Sequence, residues 1–351
     1  MPDMPPSSSG DPHNSGRVTD PSAALVVGGR VSVRYRLPEG ASAGATDALG
    51  TLVERDEEHL TIETRRGPVR VTRADVIAAK DVPPAPRRRL PPHRRISVDD
   101  LERLMEQAWP AVERHELGSW VLRSSSGFTG RASSVLPVGD PLLPLDQAID
   151  QVESWYAARA QTACFQVYGE PGFRAEEGDL GAALLRRGYT PGGGRVDWER
   201  VLVMTAPSAA IPPLTPDSVP VVADARMSPD WLLAYGEQRR VVPGATEAVL
   251  TGRERLQFLS VRDAPTGRIV GIARLALDPG WAGVFAVWVH PDHRRRGIAT
   301  ALTSVMAMLA QQHGMASVYL QVSGDNANAI ALYEGLGFTV HHEYTYLVAG
   351  T

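Results

Sequence analysis

The sequence predicts an α/β protein of the α+β kind: two lobes of mixed, mostly antiparallel sheet flanked by helices, preceded by a small β-barrel. Three observations lead there. The first third of the chain carries several short runs in which polar and apolar residues alternate. The rest mixes helical and strand-like stretches, and a helix–turn–strand ending occurs twice, near Gly188 and near Gly337. Proline-rich stretches at 83–96 and 210–220 separate the three parts.

The elements follow in order. Residues 1–23, rich in Pro, Ser, Gly and Asp, read as a disordered tail. Within 24–82, RVSVRYRL (Arg30 to Leu37), LGTLVER, HLTIETR and GPVRVTR each suit a half-buried strand, and ADVIAAKDV supplies a closing turn and strand. So many short strands in about 60 residues predict an SH3-like barrel. PPAPRRRLPPHRR, within 83–96, suits neither strand nor helix and reads as an extended, solvated tether with five arginines. In 97–209, Ser97-Val-Asp-Asp100 resembles a capping box, with Leu101, Leu104, Met105 and Ala108 following at helical spacing. Strands are expected at SWVLRS, RASSVLPV, CFQVY and 200–205, and helices at 145–159 and 179–187. After the 210–220 linker, 221–351 should hold a helix at 230–239 and a hairpin of RLQFLSV and GRIVGIARLAL around DAPTG. The strand GVFAVWVHP, a long helix at 294–312, the strand ASVYLQV, a helix at 327–336 and the strand FTVHHEYTYLV complete it.

Composition narrows the function classes. Of 351 residues 43% are hydrophobic and 22% charged, and the net charge is −4. Nothing at the level of the whole chain therefore points to nucleic acid or to an anionic membrane. No apolar run is long enough to cross a bilayer, and the N-terminus lacks the apolar core of a signal peptide, so a cytoplasmic location is expected. Cys164 is the sole cysteine and cannot form an intramolecular disulfide. No metal site is expected.

The sharpest chemical signal runs from Val287 to Ala299, VWVHPDHRRRGIA. A buried strand leads into an arginine- and glycine-rich turn, and a long helix starts there. Such a turn gathers backbone N–H groups at the positive end of a helix dipole, where a pyrophosphate fits. Gly297 and Ala299 lack bulk, and Arg294, Arg295 and Arg296 add positive charge.

Arg294-Arg-Arg-Gly297-Ile-Ala299 resembles the Gln/Arg-x-x-Gly-x-Gly/Ala signature of the GNAT acyltransferase superfamily. Asn326, Ala329, Leu332-Tyr333 and Gly337-Phe338 match that family's second element in order and spacing. The resemblance covers about residues 221–349. It implies an N-acetyltransferase that uses acetyl-CoA as cosubstrate and a primary amine as acceptor, either a small molecule or a protein lysine or N-terminus. It further implies that the backbone of Val287, Trp288 and Val289 pairs with the pantetheine arm. The amides from Arg294 through Ile298 to Thr300 would hold the pyrophosphate. Asn326 would bond the pantetheine beside Ala329 and Leu332, and Tyr333 would protonate the departing thiolate. An ordinary tyrosine keeps its proton at neutral pH, as an acid must. The general base is left open. His290 and Glu343 are candidates, and a free amine can instead lose its proton to water.

Placing Gly188-Tyr189-Thr190 on Gly337-Phe338-Thr339 aligns the two helix ends. Leu184 then falls where Tyr333 stands and Glu177 where Asn326 stands, so the first lobe reads as a degenerate copy. The segment from Trp120 to Arg131, with Trp155-Tyr156 and Phe165-Gln-Val167, resembles a group of actinobacterial tandem acetyltransferases, some with an SH3-like N-terminal domain. That likeness implies an acceptor cleft between lobes lined by Arg123, Phe128 and Arg131, and a barrel that contacts a peptide or protein. The competing reading is an acyl-CoA-sensing scaffold with little catalysis.

Overall fold

The computed structural model describes residues 20–38, 43–64, 66–82 and 91–350, so the tail call at 1–19 and the tether call at 83–90 fall outside the described residues. The chain divides into two compact units at Arg89/Leu90.

In the N-terminal unit, β1 (Arg30–Arg36), β2 (Ala45–Arg55), β3 (His59–Thr64), β4 (Gly67–Thr72) and β5 (Val76–Asp81) form an antiparallel sheet of order β4-β3-β2-β1-β5. Alternation along β1 buries Val31 and Val33 against Leu52, Leu60, Ile62 and Val71, which is what period-two patterning does on a sheet with one dry face. Every strand read from the sequence in this region is present.

The second unit runs α1 (Pro92–Arg95), α2 (Val98–Ala108), β6 (Glu113–Leu117), β7 (Trp120–Ser124), β8 (Val135–Leu136), α3 (Leu145–Ala157), β9 (Cys164–Gly169), α4 (Asp179–Arg186), β10 (Thr190–Pro191), α5 (Val196–Glu199) and β11 (Val201–Pro207). It continues with β12 (Val222–Asp224), α6 (Pro229–Gly236), α7 (Ala245–Thr251), β13 (Leu256–Arg262), β14 (Ile269–Asp278), β15 (Trp281–Val289), α8 (Ile298–Gln312), β16 (Ser317–Ser323), α9 (Ala327–Gly335) and β17 (Thr339–Val348). These strands make one sheet of order β12-β13-β14-β15-β16-β11-β17-β9-β8-β7-β6, with β10 paired to β17.

The two lobes repeat one plan. In each, an antiparallel run ends in a parallel pair: β8 with β9 through Val135–Phe165, and β15 with β16 through Val284–Leu320. The helix ends are also alike. Tyr189 N–H bonds the Leu184 carbonyl at 3.1 Å, as Phe338 N–H bonds that of Tyr333 at 3.0 Å. Gly188 and Gly337 take the positive φ that such a cap requires.

The closing strands, however, are exchanged. The sequence reading made 200–205 the last strand of the first lobe. Instead β11 inserts between β16 and β17, both more than 100 residues downstream, and β17 pairs with β9 of the first lobe. Strand alternation reports burial and not partner, so nothing in the sequence marked the swap. A core of Trp109 and Phe128 with Trp231, Phe258, Phe285 and Trp288 spans the junction.

Other differences are local. Pro92–Arg95 forms a helical turn where a tether was expected, because proline at the first helical position has no N–H to lose. RASSVLPV contributes only the two-residue β8, and Gly130–Ala132 is a 3-10 turn. Strands β6 and β12 and helix α7 were not anticipated. Ser97 caps α2 as read, accepting from Asp100 N–H at 3.1 Å. That helix also buries Glu102 and Glu106, which its apolar spacing did not announce.

Candidate active site

The site begins where β15 and β16 part. Their parallel pairing ends at Val284–Leu320. Beyond it β15 pairs only with β14, through Trp288–Ile272 and Val289–Gly271, so its other edge has no partner strand among the described residues. The cause is a bulge: the β14–β15 register shifts between Ile272 and Arg274, and Ala286 sits at φ 52°. A bulge bends its strand and increases its twist, here turning β15 away from β16. An extended ligand can add to such an edge as a strand. Val287 lines the resulting cavity, whereas the Trp288 side chain is buried in the core.

At the end of β15 comes the arginine–glycine turn. Arg295 (φ 61°) and Gly297 (φ 76°) alternate in hand with their neighbours, a pattern that aims successive N–H groups into one hollow. Gly297 is the N-cap of α8, and the amides of Ile298, Ala299 and Thr300 belong to its first turn, where a helix cannot supply acceptors itself. Arg294, Arg295, Arg296 and Gly297 are exposed, and the Arg294 side chain folds back on the Val289 carbonyl. The turn is therefore open to an anion, and it lies outside the lining of the cavity beside it.

The cavity measures about 710 Å³ and is walled by both lobes. Val284–Val287 and Leu320–Ser323 form one side, with Asn326, Ala329 and Tyr333 beside them. Asn326 caps α9, its side-chain oxygen accepting from Ala329 N–H at 3.1 Å, which leaves its amide NH₂ for other partners. Leu332 packs at the edge of the core beneath α9 and does not line the cavity. Tyr333 is 6% exposed, packs edge-on against Phe338, and has no hydrogen bond to its hydroxyl among the described residues. Burial pushes its pKa up to about 12.

The opposite wall comes from the first lobe. Phe128 and Arg131 line it. Arg131 crosses to the second lobe, donating to Gln321 Oε1 at 2.6 Å and lying over the Trp109 and Phe285 rings at 4.9 and 5.4 Å. Gly130 lets this loop sit against Tyr346, whose ring a Cβ would meet at 2.6 Å. Arg123 is a correction. It is buried inside the first lobe, bonded to Ser134 and Gln166, and absent from the cavity. A strand residue between two sheet neighbours faces the core unless a loop carries it out.

Neither base candidate lines the cavity. Glu343 is held by Arg200 at 2.7 and 2.8 Å, and His290 accepts from Asp292 N–H to cap a 3-10 turn. Among the wall residues that the sequence reading missed are Tyr235, Arg239, Tyr344, Tyr346 and the α5 segment of Arg195, Asp197 and Trp198. They come from helix ends and the exchanged strand, and only the topology unites them.

Residues 97–347 match the family described as the C-terminal region of the probable histone acetyltransferase Rv0428c, and residues 25–80 match its N-terminal Sm-like domain. The chain belongs to this GNAT acetyltransferase family. The barrel read as SH3-like is accordingly an Sm-like domain. The uncharacterized N-acetyltransferase YobR of Bacillus subtilis is 25% identical over 257 residues, 72% of this chain and 98% of its own length. Rv0428c of Mycobacterium tuberculosis is 34% identical over 134 residues, 38% of this chain and 41% of its own. In fold, a GCN5-related N-acetyltransferase from Kribbella flavida overlays with TM-score 0.52 at 16% identity, covering 72% of this chain and 95% of that one. The chain is thus an N-acetyltransferase with tandem GNAT lobes and a small β domain before them. No helix among the described residues is long and apolar enough to cross a membrane.

Proposed function

We propose that the chain transfers an acetyl group from acetyl-CoA to a primary amine by direct attack, with Tyr333 as general acid. The observation that carries this reading is the gap between β15 and β16, which opens beside Tyr333 and leads toward the turn at Gly297. When bound, acetyl-CoA supplies the acetyl thioester. The free edge at Val287–Val289 would line up the pantetheine arm, the amides of Arg294–Thr300 would take the pyrophosphate, and Asn326 would donate its remaining N–H to the arm. As the new C–N bond forms and the C–S bond breaks, Tyr333 gives its proton to the departing sulfur. The surplus proton on the nitrogen leaves through cavity water and returns the tyrosine to its starting state. The first lobe supplies the acceptor wall. The acceptor is a small amine or a protein amine; the description of Rv0428c as a probable histone acetyltransferase favours the latter, with the Sm-like domain as its contact.

Calorimetry with acetyl-CoA followed by thiol-release assays on an amine panel tests the reading. One acetyl-CoA per chain and steady transfer are expected. Lack of binding sinks the reading, and binding without transfer to any amine favours an acyl-CoA-sensing scaffold instead.

A further inference from the structure

The charges around the acceptor side of the cavity do not balance. Four guanidinium groups line it, from Arg131, Arg195, Arg239 and Arg240, against two carboxylates, Asp197 and Asp325. Asp197 already pairs with Arg195 at 2.9 Å, and Asp325 takes a short hydrogen bond from Ser323. Arg131 bonds only the neutral Gln321. Among the described residues the side chains of Arg239 and Arg240 make no ion pair or hydrogen bond. Arg239 is exposed along the cavity wall, and the protein crowded around it, together with repulsion from Arg131 and Arg195, outweighs the pull of Tyr235 and Asp197 and lowers its pKa.

A further positive charge lies behind this wall. Arg274 is fully buried beneath the Trp109 and Phe285 rings that Arg131 also covers, and one of its Nη atoms has no partner. Crowding like charges in a partly desolvated hollow is unfavourable, and the field they make draws a negative group inward. These arginines come from the 3-10 turn at Gly130–Ala132, the segment before α5 and the segment after α6, not from the Arg294–Thr300 turn, which has its own amides and arginines for phosphate.

We propose that the acceptor is a small amine that also carries an anionic group, a carboxylate or a phosphate, held by Arg131 and Arg239 with Arg195 beside them. The inference rests on the acetyl-transfer reading above and narrows its acceptor. The anion fixes the molecule at the first-lobe wall and leaves its amine to reach toward Tyr333. Guanidinium groups suit both anions, because their forked donors match carboxylate and phosphate oxygens. The same field disfavours polyamines and lysines set in basic peptides.

The test uses the full chain with saturating acetyl-CoA and matched acceptors: β-alanine against β-alaninamide, O-phosphoethanolamine against ethanolamine, and spermidine and a basic lysine peptide as cationic probes. The anionic member of at least one pair should exceed its neutral twin at least tenfold in kcat/KM, and the two pairs tell carboxylate from phosphate. Arg239→Gln should erase that preference while calorimetry gives an acetyl-CoA Kd within twofold of wild type. Arg239→Glu should shift preference toward spermidine. Equal or better use of neutral or cationic amines overturns the proposal, as does binding of acetyl-CoA with no anionic amine acetylated. Loss of acetyl-CoA affinity in Arg239→Gln also overturns it by assigning the arginine to the cosubstrate. A wild-type chain that fails to bind acetyl-CoA removes the acetyl-transfer reading itself, and with it this one.

Discussion

The two lobes share a plan, and position by position the first lacks the features that the proposed acetyl-CoA site draws from the second. Taking the parallel pairs Val135–Phe165 and Val284–Leu320 as equivalent, Pro137 stands where the bulge residue Ala286 stands. Proline has no N–H with which an added strand could pair. Pro144 is the N-cap of α3, whereas Gly297 is the N-cap of α8. Leu184, buried at 0% exposure, replaces Tyr333. The first lobe instead carries a buried polar chain. Arg123 donates to Gln166, Gln166 donates to Glu102, and Glu102 meets His342, with gaps of 2.8 to 3.0 Å. A duplicated fold can keep its sheet while one copy gives up amides and a proton donor, since neither is needed for packing. That copy is then free to shape the acceptor wall.

The strongest way to break this comparison is to change the paired positions 333 and 184. Tyr333→Phe should lower kcat about 100- to 1,000-fold, within the range of a lost general acid, and leave acetyl-CoA Kd within about twofold. Leu184→Ala should leave kcat near wild type and cost about 2–5 kcal/mol of stability in urea titration, the usual toll of a core leucine. If Leu184→Ala loses turnover without losing stability, the first lobe is no mere scaffold.

Next in size is the buried chain. Glu102→Ala strips partners from Gln166 and His342 in a dry interior and should destabilise the fold by about 3–5 kcal/mol. Because none of these groups lines the cavity, acetyl-CoA Kd should hold, and a large change in it would tie the network to binding. Smaller again is Gly297→Ala. A Cβ there meets no atom within 4 Å, so only the positive φ opposes it, at about 1–2 kcal/mol. Distorting the turn should weaken acetyl-CoA about tenfold. Pro144→Ala in the first lobe should change nothing, with calorimetry still giving one acetyl-CoA per chain. A second binding event would overturn the claim that the first lobe is degenerate.

What the sequence disclosed tracks what local chemistry controls. The Arg294–Ala299 turn was legible because glycine conformation acts within a few residues, and Asn326 and Tyr333, read through family likeness, lie on the cavity wall. Phe128 and Arg131 were legible through family likeness, and both line the cavity. Arg123 looked the same in sequence and lies in the interior, since strand parity decides which way it faces and the lobe has two covered sides. Illegible altogether were the exchange of β11 and β17, and with it the arrival of Tyr344 and Tyr346 opposite Tyr333's lobe. Pairing between segments so far apart leaves no periodic trace. Arg239 was missed for a related reason: a charged residue just past a helix end reads as plain surface, and only the tertiary arrangement puts it on a cavity wall.

The smallest expected shift in stability tests whether Tyr333 is held as a buried, neutral acid. Its pKa in the native state is about 12, raised by burial alone, against about 10 in the unfolded chain. Below pH 10 both states keep the proton and the hydroxyl adds no pH dependence. Between pH 10 and 12 the unfolded chain ionises while the native state does not, so stability falls as pH rises through that window. At pH 11 the loss from this one group is about 1.4 kcal/mol. Other buried tyrosines contribute losses of the same sign, among them Tyr156 and Tyr344, so the comparison must be a difference. Urea midpoints of wild type and Tyr333→Phe at pH 8 and pH 11 isolate it: wild type should lose about 1 kcal/mol more than the variant between the two. Leu184, at the equivalent place in the other lobe, has no proton to lose, and Leu184→Ala should show the wild-type difference unaltered. Equal losses in wild type and Tyr333→Phe would mean that the hydroxyl ionises as freely in the native protein as in the unfolded chain, and a tyrosine so exposed to water would not be the shielded proton donor that sets the second lobe apart from the first.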